Sequence, residues 1–161
     1  FLIENNISFE KYELGEDVRF NLNAYRNVNK VYLSQDSYYV YVIGRKGSAM
    51  SGYNPKRLQY QLQELKLADR ILSDWDLDIV DFDNTIKARI LMSNIYNISK
   101  QTIHFHSKVK YVREVCENKE IKSFILTNKN DLKPFIHYLL KHKKYRTVLF
   151  LKSIQAMIKR S

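Results

Sequence analysis

Asp81 and Asp83 stand two residues apart in IVDFDNTI (79–86), an apolar run that then meets Asn84 and Thr85. In an extended segment, side chains at i and i+2 point to the same side. A strand here would therefore deliver two carboxylates to one place. Thr127 and Asn128 end a second apolar run, IKSFILTN. If both runs are strands of a parallel sheet, their carboxyl ends lie where such sheets bind ligands. Two carboxylates, a hydroxyl and main-chain N–H groups would then converge as a catalytic set. The alternative is structural: Asp83 or Asn84 as an ordinary helix N-cap, and Asp74, Asp76, Asp78, Asp81 and Asp83 as a solvated acidic edge.

Either reading depends on the elements around these residues. Residues 1–12 read as a short helix followed by a strand. VRFNLNAY (18–25) alternates in period two, and 28–44 reads as two Tyr- and Val-rich strands around a Ser-Gln-Asp-Ser turn. RKGSAMSGYNP (45–55) holds two of the four glycines and one of the two prolines, the composition of a loop. Leu58, Leu62, Leu65, Ala68 and Leu72 recur at steps of three and four, predicting a helix from Pro55 to about Trp75. Beyond it, short apolar strands are expected at 77–82, 121–127 and 147–151, alternating with helices at about 107–118, 130–142 and 153–160. Such alternation predicts an α/β fold: a Rossmann-like parallel sheet with helices on both faces over 74–161. A small α+β segment, 1–73, precedes it, with no role assigned.

IVDFDNTI resembles the first motif of the haloacid dehalogenase superfamily, a hydrophobic strand followed by Asp-x-Asp-x-Thr. IKSFILTN resembles that superfamily's second motif, a hydrophobic strand ending in Thr or Ser, and VKYVREVCENKEIK resembles the helix leading into it. The resemblance covers about residues 77–151. It implies hydrolysis of a phosphate monoester, with Asp81 as the nucleophile forming an aspartyl phosphate and Asp83 as the general acid and base. Thr127 and the main-chain N–H of Asn128 would hold the phosphoryl oxygens. Mg²⁺ would take a carboxylate oxygen of Asp81 and the main-chain carbonyl of Asp83. The family pattern continues with a lysine and then one or two acids on a later strand. Here Lys143, Lys144 and Lys152 could each supply the amine, but no Asp or Glu follows Asp131. Asp131 or Asp78 would have to substitute, or the site would bind phosphate without turnover.

A second reading starts from NISKQTIHFHSK (97–108), which resembles the turn and recognition helix of helix-turn-helix DNA-binding proteins. Ser99 would cap the helix and Ile103 would anchor it. Lys100, Gln101, Thr102 and His104 would face bases or phosphates, with Lys108 and Lys110 continuing the basic run. The motif would occupy about 88–113. Against it, Ser107 sits one turn after Ile103, where a large apolar residue is expected. A third reading takes HFH (104–106) as the His-hydrophobic-His triplet of metal-dependent nickases, with Tyr138 as nucleophile. RKGSAMSG (45–52) is basic but lacks the spacing of a P-loop.

Charge supports a polyanionic partner. Residues 84–161 hold 17 Lys and Arg but 4 Asp and Glu, a net of +13, whereas residues 1–83 carry −3. A half this basic attracts nucleic acid, phosphorylated substrates or an acidic surface. The single cysteine, Cys116, excludes an internal disulfide and fits a reducing, intracellular compartment, cytoplasmic or nucleoid/nuclear. No stretch approaches the roughly 20 apolar residues of a membrane span, so no membrane is expected among the partners.

Overall fold

Every regular element among the described residues is a helix. The computed structural model describes residues 1–11, 14–40, 52–77, 80–128 and 130–158. Among these lie seven α-helices: α1 (Glu16–Arg26), α2 (Arg57–Asp74), α3 (Val80–Lys100), α4 (Phe105–Glu117), α5 (Lys119–Thr127), α6 (Pro134–Lys141) and α7 (Tyr145–Ile158). No strand occurs among the described residues, which overturns the Rossmann-like α/β expectation.

The correction has a physical cause in each apolar run. A run of four to eight apolar residues has no readable period, so it suits a buried strand and a buried helix equally. In α5, Ile121, Phe124 and Ile125 are buried while Lys122, Ser123, Leu126 and Thr127 are exposed, the one-sided pattern of a helix. In α7, Tyr145, Val148 and Leu149 face inward and Phe150 faces out. Residues 80–82 form the first turn of α3, and 18–25 lie within α1. Residues 28–40 are irregular rather than stranded, although a turn does form there. Ser34 Oγ accepts from the Asp36 N–H at 3.0 Å and Tyr38 Oη donates to Asp36 Oδ2 at 2.7 Å. The remainder of the second expected strand, most of the RKGSAMSG loop and Asp78 lie outside the described residues.

Helix ends explain much of the polar sequence. Asn118 is the N-cap of α5, its Oδ1 accepting from the N–H of Glu120 at 3.1 Å. After α2, Asp76 takes a positive φ of 54°, the N–H of Asp76 bonds Ser73 O, and that of Leu77 bonds Leu72 O. This double bond pattern is a Schellman stop. Lys143, at φ 55°, ends α6 in the same way, with its N–H on Leu140 O and that of Lys144 on Leu139 O. Acids and lysines that read as candidate chemistry are thus partly chain-reversal devices.

α3 is the central element, packing against α2, α4, α5 and α7. Its Leu91, Ile95 and Ile98 are fully buried and join one core with Leu62 and Leu65 of α2, Val112 and Val115 of α4, Ile121 of α5, and Val148 and Leu149 of α7. α1 packs on α2, where Arg19 Nη2 donates to Gln63 Oε1 at 2.9 Å.

Candidate functional site

The helices remove the strand geometry on which the phosphatase constellation rested. Asp81 and Asp83 occupy the first turn of α3, where residues two apart point about 200° from each other rather than to one side. Asp83 is ion-paired with Lys87 one turn on. The neighbouring Asp69 carboxyl is raised, first by burial and then by the Asp83 charge. Thr127 Oγ1 donates back to Ser123 O within α5 at 2.9 Å. Asn128 Oδ1 accepts from the N–H groups of Asn130 and Asp131, at 3.1 and 3.2 Å, and so shapes the loop after α5. Lys144 is exposed just before α7, and Lys152 Nζ bonds Gln155 Oε1 at 2.9 Å.

Nor do these residues fit the expected Mg²⁺. The main-chain carbonyl assigned to it at Asp83 lies inside the hydrogen-bonded ladder of α3, and one Asp83 oxygen is taken by Lys87. Among the described residues, no group of three His, Cys, Asp or Glu side chains is placed to hold a metal ion. One side-chain hydrogen bond that joins these regions runs from Thr85 Oγ1 to Asp131 Oδ1, at 3.3 Å. The nickase triplet is likewise broken by helix geometry. His104 is the N-cap of α4, Phe105 and His106 form its first turn, and Tyr138 on α6 packs its ring 4.4 Å from that of His142.

The basic segment is brought together. Lys100, Gln101, Thr102, His104, Lys108 and Lys110 all line one open groove of about 1090 Å³. α3 ends at Lys100, four residues turn the chain, and α4 begins at Phe105. Two helices joined by a short turn therefore span this segment, and the second begins later than the recognition helix expected from the sequence. Ser99 is no cap: it lies within α3 and its hydroxyl donates to Tyr96 O at 2.7 Å. Ile103 lies in the turn, half-buried against the core. The buried stripe of α4 is Val109, Val112, Val115 and Cys116, so the polar Ser107 is an outward position.

Each groove residue has a distinct setting. Lys108 Nζ reaches back to Ser99 O at 3.0 Å, placing its charge at the negative end of α3. Lys100 Nζ sits 4.1 Å from the centre of the Tyr96 ring, a cation–π contact. Gln101 Nε2 donates to Asn97 O at 3.3 Å. His104 gives α4 no side-chain cap, and the first-turn N–H groups of a helix suit an anion. Lys110 lies 4.0 Å from Glu114.

Three parts of the groove were not legible in the sequence. Tyr53, from the segment before α2, forms one wall, and Ser153 and Met157 of α7 form another. Tyr53 lies edge-on to Tyr111, centroids 5.6 Å apart and planes at 79°. The Tyr111 phenol is pushed up to about 12 by burial, with the Arg57 charge opposing, so it remains a hydrogen-bond donor at neutral pH. No local signal marks these residues, because they reach the groove only through the packing of α2 and α7.

No family model matches the chain, and comparison with curated proteins and with solved structures finds no match either. No helix among the described residues is long and apolar enough to cross a membrane.

Proposed function

We propose that the protein binds nucleic acid through the α3–α4 turn and the first turns of α4. The observation that carries this reading is the convergence of Lys100, Gln101, Thr102, His104, Lys108 and Lys110 on one groove. Three lysines against one acid, Glu114, leave the concavity net positive, and a positive concavity raises the local density of a polyanion. Neutralising its phosphates releases counterions, the usual driving force of such binding. Beside the groove, α4 carries His106, Lys110 and Arg113 along one exposed side at steps of four and three. That side is the part of the motif that would enter a duplex groove. Lys108 acts differently, because its ammonium is engaged on Ser99; it positions the turn.

The test is a titration of labelled duplex DNA at several salt concentrations. The logarithm of the binding constant should fall linearly with the logarithm of salt, by about 0.9 per phosphate neutralised. Lys100→Ala and Lys110→Ala should each lower that slope by roughly one contact. Gln101→Ala should weaken binding without changing the slope. Affinity that ignores salt, or that survives the triple variant, overturns the proposal.

A further inference from the structure

α7 is apolar on both sides. Its inner side, Tyr145, Val148, Leu149 and Ala156, is buried in the core. Its outer side carries Phe150, Met157 and Ile158, which are 59%, 62% and 70% exposed, with half-buried Ile154 between them. At 3.6 residues per turn, positions 150, 154, 157 and 158 form one outward stripe.

Cations bound this stripe at both ends. Lys141 ends α6 and Lys143 and Lys144 follow it in the α6–α7 connection, all three exposed, and Arg146 lies one turn before Phe150 on the same side. Of these, Lys143 is paired with Glu117 at 3.0 Å. At the far end, Met157 lines the groove that also holds Lys100, Lys108 and Lys110 against the single acid Glu114. An apolar stripe between two basic ends is complementary to a surface that is oily within and anionic outside.

We infer that the outer face of α7 docks on an anionic lipid surface. Phe150, Ile154, Met157 and Ile158 would enter the acyl boundary, and the flanking Lys and Arg would meet headgroup phosphates. A helix of 14 residues lies on a bilayer and does not cross it. The expectation of no membrane partner rested on the lack of a spanning stretch, and a surface helix needs none. A second copy of the chain fits this face less well: parallel or antiparallel, pairing two α7 helices would bring cationic ends together. Nucleic acid satisfies the charges and leaves the stripe in water.

Co-sedimentation with vesicles tests this. The intact protein should pellet with phosphatidylcholine vesicles containing phosphatidylglycerol, less so as salt rises, and not with phosphatidylcholine alone. Phe150→Ser with Ile158→Ser should reduce the partition at least roughly tenfold, from the apolar area no longer buried. Both positions are exposed, and circular dichroism checks that helix content is kept. Unchanged partition in this variant, absence of partition in the parent, or self-association in solution that the variant abolishes would each overturn the inference. Duplex binding measured on the same variant keeps the two readings separate. It should persist while partition falls, and a failure of duplex binding in the parent leaves the vesicle result standing.

Discussion

Tyr111 of α4 donates its phenolic hydrogen to Oδ1 of Asn94 in α3 across 2.6 Å. Asn94 is fully buried, and its amide nitrogen in turn donates to Gln61 Oε1 of α2 at 2.7 Å and to Ile90 O at 2.8 Å. One buried amide therefore sets the positions of three helices, and a wall of the groove depends on it through Tyr111.

Tyr111→Phe removes the donor and leaves Asn94 Oδ1 buried without that bond. An unsatisfied buried acceptor costs about 1–3 kcal/mol, which urea denaturation should register. Asn94→Ala should cost more than either partner's removal alone. A double-mutant cycle with Tyr111→Phe should give a coupling outside additivity; simple addition would show that the pair is not linked.

Asn118→Ala discriminates the helical fold from the sheet. As N-cap of α5, Asn118 should contribute about 1 kcal/mol. Before a strand at 121–127 the same change would have no cap to remove. Stability unaltered by the substitution, with a matching loss of helical circular dichroism nowhere seen, would count against α5.

Two carboxyl groups give stability opposite dependences on pH. Burial, opposed by Arg19, raises Glu64 from 4.5 to about 7. Its folded form holds the proton more tightly, so its contribution is present below pH 4.5 and is lost as pH rises through about 7. Glu117 is lowered from 4.5 to about 2 by hydrogen bonds from Lys122, Lys143 and Tyr145. Its contribution is present above pH 4.5 and is lost as pH falls toward about 2. Denaturation across pH should show Glu64→Gln flattening the neutral-side fall and Glu117→Gln flattening the acid-side fall, each leaving the other limb unchanged.

Gly15→Ala should destabilise the junction of α1 with α2 by about 1–2 kcal/mol. Gly15 sits at φ 79°, in the left-handed region that a Cβ disfavours. An added Cβ would also collide with Glu64 Oε1, whose flexible side chain can swing away, so backbone strain carries the cost. A thermal melt unchanged by the substitution would contradict this local conformation.

The helices at 57–74, 105–117 and 134–141 were written into the spacing of Leu62, Leu65, Val109, Val112, Val115, Leu139 and Leu140, because a run of two or more turns has time to show its 3.6-residue period. The basic excess after residue 84 and the adjacency of Lys100 to Lys110 are likewise properties of the chain alone. Short runs such as IKSFILT and TVLFL carry no such period. Whether they become strands or helices is decided by what they pack against, and here that partner is α3 rather than a neighbouring strand. The same tertiary choice sends Asp83 to Lys87, brings Tyr53 and Met157 to the basic groove, and leaves Phe150 facing outward. The first follows from the choice of helix over strand, and the others depend on elements far apart in the chain, so only the packed structure could determine them.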